Sequence, residues 1–284
     1  MSSRFPEALL LVVAALAWPA LACAAAPPTQ MIKTLRVCAH PDNLPFSAQD
    51  ESGFDNRIAR VLADELHATL EYTWLQPQHG LVRKTIGAGL CDAILGLPQG
   101  YEGVATTAPY YRSRYVFITP RDARLTPSFD DAAFLAQRIG VQLIGDDMAA
   151  TPPGHVLARA HASHVVGFPV YGAKPAVARM VDAIADHSLD AGVAWGPAAG
   201  YFAARASVPL TITPAPAPAA LHLPFAFAVV IAVRKDDGTL RVALDRAIER
   251  RRSDIDAILR AYHVPRADAP VHASLSPCAA SLRC

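Results

Sequence analysis

The polar and aromatic side chains with most to offer chemically fall in a few short runs. Asp42 and Asn43, in His40-Pro41-Asp42-Asn43-Leu44-Pro45-Phe46, can hydrogen-bond an amine or hydroxyl, or close a turn on their own backbone. Phe46 can stack on a ligand or pack behind the loop. Gln99 and Tyr101 supply neutral donors and acceptors suited to an uncharged polar group; a plain solvated loop is the alternative. Arg112 is a cation for a carboxylate or for an ion pair across the fold. Gln142 ends an apolar run, and Thr151 precedes Pro152 where free helix N–H groups can face an anion. Trp195 and Tyr201 are aromatics able to floor a pocket, anchor a partner or fill a core. His161 and His164 lie three apart with no third ligand at metal spacing, which leaves them as surface histidines. The run Arg250-Arg251-Arg252 reads as a solvated face offset by Asp254 and Asp256. There is no G-x-S-x-G, no H-E-x-x-H and no glycine-rich phosphate loop, so the chain names no reaction, metal or cofactor.

The elements that must position these groups alternate between strand and helix. Residues 35–39 form a short apolar strand stopped by the prolines of the first loop. After Gly53, Phe54, Ile58, Val61, Leu62 and Leu66 recur at helical spacing, with Asp55 in the first turn where its charge suits the dipole. Residues 70–74 alternate as a strand. Leu81, Val82 and Ile86 mark a short helix ended by Gly87 and Gly89. Residues 92–97 are continuously apolar, as in a parallel sheet covered on both faces. This β-α-β-α-β order predicts an open lobe with its binding edge in the loops 40–47 and 98–106. Residues 115–119 lead out of it. A second unit follows: a strand at 138–144, a helix capped by Thr151, a strand at 165–170, a helix opened by Pro175, a strand at 190–195, a small helix at 198–204 and a strand at 210–213. Residues 214–220 are stiff and extended, 225–233 return as a strand, and 240–262 close as one long amphipathic helix. The expectation is an α/β fold of two lobes, each an open, mostly parallel sheet flanked by helices. Lobe 1 takes 27–118 and 221–265, lobe 2 takes 119–220, and 266–284 form a tail. Two crossings act as a hinge around a ligand.

The chain of 284 residues carries 26 Lys+Arg against 25 Asp+Glu, a formal charge of +1, which argues against a nucleic-acid partner. Apolar residues are 52% and charged residues 18%, enough for a substantial core. Residues 1–26 read as an export signal: Arg4, an apolar run at 9–18 too short for a comfortable span, and small residues at 20–26. Cleavage near Ala24–Ala26 discards Cys23; a lipoprotein box ending at Cys23 and an uncleaved anchor are the alternatives. No later segment is long and apolar enough for a membrane helix, so a soluble periplasmic protein is expected. Export places Cys38, Cys91, Cys278 and Cys284 in an oxidising compartment, with three pairings open. Cys278 and Cys284 are close enough in sequence for a local loop, leaving Cys38 with Cys91. Simple parallel register, however, would hold those two sulfurs apart.

The runs LRVCAHPDNLPF, GFDNRIARVLADEL, AGLCDAILGLP, TTAPYYRSRYVFI and FAVVIAVRKDDGTLRVALDRAIERR resemble type II periplasmic solute-binding proteins over about residues 35–264. A narrower resemblance lies in YYRSRYVF, IGVQLIGDD, Thr151-Pro152-Pro153, FPVYG, AWGPAAGYFA and RRRSDIDAILRAYHVPR. These are similar to the MoxJ/XoxJ-like proteins associated with quinoprotein dehydrogenases. The resemblance implies the two-lobed type II fold and a place beside a periplasmic dehydrogenase of methanol or alcohol oxidation that uses pyrroloquinoline quinone. It does not imply that this chain holds the quinone. Amino-acid receptors of the fold carry an arginine in a Ser-x-x-Pro-x-Arg turn that grips the ligand carboxylate. Here the turn reads Leu97-Pro98-Gln99-Gly100-Tyr101-Glu102, with no arginine and an opposing acid. Three functions are therefore weighed. One is a non-catalytic accessory that binds the dehydrogenase or a related ligand between its lobes. Another is an ABC-transporter receptor for a small uncharged or weakly charged solute. The third is a dehydratase-type enzyme, which would need a polar cleft and an acid of perturbed pKa.

Overall fold

In a computed structural model the described residues are 31–76, 80–124, 126–144, 149–170, 172, 174–218 and 223–267. In chain order they form β1 (Thr34–Ala39), α1 (Phe54–Glu65), β2 (Thr69–Trp74), α2 (Leu81–Lys84), β3 (Ala93–Pro98), β4 (Tyr111–Pro120), α3 (Ala132–Leu135) and β5 (Arg138–Ile144). There follow α4 (Pro152–Arg159), β6 (His164–Pro169), α5 (Ala176–Ala185), β7 (Ala191–Trp195), α6 (Gly196–Ala203), β8 (Leu210–Pro214), β9 (Ala226–Val233), α7 (Gly238–Arg250) and α8 (Arg252–Ala261). Two-residue bridges complete the set. The expected export signal, and Cys278 and Cys284, lie outside the described residues. No helix among those described is long and apolar enough to cross a membrane.

The main strand path runs β6-β5-β7-β4-β9-β3-β1-β2. In one half β1 is parallel to both β2 and β3; in the other β5 is parallel to both β6 and β7. The halves meet on β4. Its first residues, Tyr111–Arg114, pair with β9, and from Tyr115 onward it pairs antiparallel with β7 and, from Val116, with β8. The expected crossing is thus a ten-residue strand hydrogen-bonded to both halves, longer than the 115–119 read from sequence. Tyr115 fixes the handover. Its N–H donates to Phe225 O at 2.8 Å and its carbonyl accepts from Ala215 N at 3.0 Å, so outgoing and returning chain are held at one residue.

Each half starts its parallel pair with the same device. Arg36 gives its backbone N–H and guanidinium to Asp92, and Arg138 does the same to Asp190, with closest ion-pair distances of 2.6 and 2.7 Å. The apolar core of the first half packs Leu35, Val37 and Ile231 against Phe54, Ile58 and Leu62 of α1 and Leu244 and Ile255 of α7 and α8. The second half packs β5 and β7 against α4 on one side and α5 on the other.

The final helix is two helices, not one. The backbone leaves helical geometry at Arg251, and the arginine run is partnered rather than merely solvated. Arg250 meets Glu65 at 2.5 Å, Arg251 meets Asp254 at 2.5 Å, and Arg252 donates to Tyr110 O at 2.9 Å. Beyond α8 the chain lies along β4: Ser113 Oγ donates to Pro265 O at 2.6 Å and Ala267 N–H to Arg112 O at 3.1 Å. There α6 approaches so closely that a Cβ on Gly200 would collide with His263 O. That contact sets where Trp195, the residue before α6, must stand.

Cys38 and Cys91 form a disulfide with Cα atoms 5.5 Å apart. The bridge forms although Cys38 lies late in β1 and Cys91 just before β3, whose register sets Val37 opposite Ala93. The bridge closes a loop of 53 residues. The Cys38→Ala/Cys91→Ala double variant is expected to lose about 2–4 kcal/mol in urea unfolding. Unchanged stability would show that the bridge does not constrain the unfolded chain.

Candidate functional site

The carboxyl ends of β1, β5 and β7 open onto one cavity of about 580 Å³ between the halves. Its near wall is the loop after β1, with His40, Asp42, Asn43, Leu44 and Phe46; its far wall includes Gln142, Ile144, Thr151 and Val170; Tyr115, Trp195 and Phe202 close the floor and side. The near loop is held rigidly. Asp42 N–H donates to His40 Nδ1 at 2.8 Å, and the α1 N–H groups of Phe54 and Asp55 donate to Pro45 O and Phe46 O at 2.8 and 2.9 Å. Burial lowers the His40 pKa, against the opposing pull of Asp42 and a hydrogen bond with Gln76, so the ring is neutral at pH 7. Trp195 sits edge-on to Tyr115 and Phe227 at 5.5 and 5.6 Å. Among the described residues no arginine or lysine lines this cleft.

Behind His40, Asn43, Phe46 and Trp195, which line both spaces, lies a second cavity of about 350 Å³. This recess runs over the ends of β1, β2 and β3. Val37, Tyr72, Leu81, Ile94 and Leu97 make it mostly apolar, and Cys38 brings the disulfide to its wall. Two polar groups from the first turn of α1 stand in that lining. Asp55 is 7% exposed, and its Oδ1 accepts from Tyr110 OH at 2.7 Å. Burial lifts its pKa to about 7 despite that hydrogen bond. Asn56 is 2% exposed; its Oδ1 accepts from Ala48 N–H at 3.0 Å, while its buried Nδ2 has no partner among the described residues.

Of the residues singled out in the sequence, Asp42, Asn43, Phe46, Gln142, Thr151 and Trp195 come together in the cleft. Thr151 sits at the start of α4 but makes no side-chain cap; its hydroxyl donates to Gln142 O at 3.0 Å instead. Gln99, Tyr101, Arg112 and Tyr201 line neither cavity. Gln99 N–H binds Ala228 O, Tyr101 is exposed, and Arg112 has no ion pair among the described residues. Tyr201 stacks on Tyr262 at 5.6 Å beneath the Arg205 guanidinium, where it binds α6 to α8. His161 is the residue after the cap of α4 and adopts a left-handed backbone, so it ends a helix. His40, Asp55, Asn56 and Tyr72 were not picked out in the sequence as lining a site. The available signal was phase: Asp55, Ala59 and Leu62 share a helical stripe that faces the core.

No protein-family model matches the chain. It is 32% identical over 246 residues to protein MoxJ of Methylorubrum extorquens, covering 82% of this chain and 81% of that protein. The crystal structure of MxaJ from Methlophaga aminisulfidivorans superposes with a TM-score of 0.71 at 26% identity, over 82% of this chain and all of that one. The periplasmic binding protein XoxJ from Methylobacterium extorquens superposes at 0.66 with 32% identity, over 82% and 99%.

The buried acid has a pH signature. Its folded pKa lies above the usual carboxylate value, so native Asp55 keeps a proton that the unfolded chain releases. Its contribution is fully present below about pH 4 and is lost as the pH rises towards 7. Asp55→Asn is expected to gain stability over the parent across that window, by about 1.4 kcal/mol per pH unit at most. Urea unfolding at pH 4.5 and pH 8 checks this; a difference independent of pH would contradict the buried, protonated acid.

Proposed function

The chain belongs to the MoxJ family, and from that premise we propose that it is a non-catalytic periplasmic accessory of a quinoprotein methanol or alcohol dehydrogenase, using the cleft between its halves to hold a segment of the dehydrogenase or a related ligand. The observation that carries this reading is that no arginine or lysine lines the cleft among the described residues. A receptor for free amino acids or other carboxylates must repay the desolvation of an anion with a fixed positive group, normally a bidentate arginine. Here, among the described residues, the charged or titratable lining consists of Asp42, a neutral His40 and Tyr115, whose phenol burial keeps protonated.

Protein partners bind through apolar and aromatic anchors seated in pockets, surrounded by a polar rim. Phe46, Tyr115, Trp195 and Phe202 supply such a floor, while Asp42, Asn43, Gln76 and Gln142 supply hydrogen-bonding groups. At the mouth Ile144 is 44% exposed, an apolar side chain free to meet a partner.

A second reading has one observation in its favour: Asp55 is the kind of perturbed acid that a dehydratase-type enzyme would use. Turnover by the purified chain would establish that reading and end the non-catalytic one.

Affinity capture from a periplasmic extract is expected to retain the quinoprotein dehydrogenase, and deletion of the gene to lower alcohol oxidation. Ile144→Arg should weaken capture by about tenfold or more, as loss of an apolar anchor does. Free amino acids should give no thermal shift. Capture without the dehydrogenase, together with unchanged oxidation in the deletion strain, would reject the accessory role. Tight saturable amino-acid binding would establish the receptor instead.

A further inference from the structure

One face of the hinge strand carries two arginines for which the fold supplies no carboxylate. Four arginines lie on the described strands: Arg36, Arg112, Arg114 and Arg138. Arg36 and Arg138 are paired with Asp92 and Asp190. Arg112 and Arg114 make no ion pair and no side-chain hydrogen bond among the described residues, and both are only half-buried. Alternation along β4 puts them together on the face opposite Tyr111, Ser113 and Tyr115, about 6.7 Å apart. Their cross-strand neighbours on β9 are Ala228 and Ala226, too short to cover either guanidinium. Glu102 lies three residues beyond Gln99, whose N–H bonds Ala228 O, yet it makes no ion pair with either arginine. Arg114 Nε is buried without an acceptor, which leaves the outer guanidinium nitrogens to meet a partner. Two like charges at this spacing repel, and nothing among the described residues relieves them.

We propose that this face of β4 is a docking surface for an extended acidic segment of a partner protein, one that carries carboxylates on alternate residues. Both edges of β4 are already taken here, one by β9 and the other by Ala267 N–H at Arg112 O. A partner therefore reaches this stretch through side chains and not by adding a strand. An extended chain repeats its side chains at the same rise as β4, so its alternate carboxylates fall at the spacing of Arg112 and Arg114. Successive acids would point to opposite sides, and the i,i+4 pair of a helix is closer, at about 5–6 Å. Each guanidinium fork takes one carboxylate as a bidentate pair, which a single small anion cannot give to both. Neither arginine lines the cleft or the recess, so this surface does not rest on the accessory role.

The test titrates the purified full chain with an acetylated Thr-Glu-Thr-Glu-Thr peptide, its glutamine counterpart and inorganic phosphate. The glutamate peptide is expected to bind saturably, at least about tenfold tighter than the other two, and to weaken as salt rises. It should also shift the Nε–H resonance of Arg114, which burial shields from exchange. Arg112→Gln should lose about fivefold or more in peptide affinity. Ala226→Glu deletes nothing and sets a carboxylate across the strands from Arg114, so it should compete with the peptide and weaken it similarly. Urea unfolding of both variants confirms that they remain folded. Glutamine peptide or phosphate binding as tightly as the glutamate peptide overturns the proposal. So does a glutamate peptide that fails to bind the parent, or that binds parent and both variants alike.

Discussion

The pairing of β4 with both halves of the molecule is the constraint on which the rest depends. Ten residues cannot serve two sheets unless the register passes cleanly from one partner to the other, and Tyr115 is where it passes. Its two backbone bonds hold the returning chain on either side, and its ring fills the junction against Trp195, Phe225 and Phe227. Because Trp195 ends the strand beside Tyr115, the floor of the cleft is built from the hinge itself. Residues 265–267 laid along β4 and the close approach of α6 to His263 brace that floor from behind.

Electrostatics then decide what the cleft accepts. Among the described residues the cleft presents no arginine or lysine to compensate a desolvated carboxylate. What remains among the described residues is apolar area, neutral hydrogen-bonding groups, Asp42 on the near loop and one deep acid whose pKa burial lifts to about 7. These features favour neutral or protein-borne groups, and they tie affinity to shape and hydrogen-bond pairing more than to charge.

Much of the fold was legible because its signals are local. The helical phase of Phe54, Ile58 and Leu62, the continuous apolar run of β3, and Pro175 before α5 each act within a few residues. The six residues that gather in the cleft were legible for a related reason: strand ends in an open α/β sheet share one edge. What was not legible depends on contacts between distant segments. Whether Gln99 and Tyr101 face the cleft is decided by the pairing of the chain after β3 with β9. Tyr201 reads as a pocket aromatic until α8 is placed against it. The break at Arg251 depends on partners as remote in sequence as Glu65. The paired arginine–aspartate devices at the start of each half are a structural repeat hidden from sequence comparison, since only two residues per half carry it. Asp55 was visible only as a helix-dipole residue; its burial follows from Tyr110 arriving 55 positions later.

Hydrogen–deuterium exchange on the purified chain, with and without the purified quinoprotein dehydrogenase, tests the central claim most directly. The account predicts slowed exchange in the loop 40–48, at the end of β5 and in 191–203, with the exposed faces of α7 and α8 unchanged. Slowed exchange confined to α7 and α8, or none anywhere at saturating dehydrogenase, would contradict it.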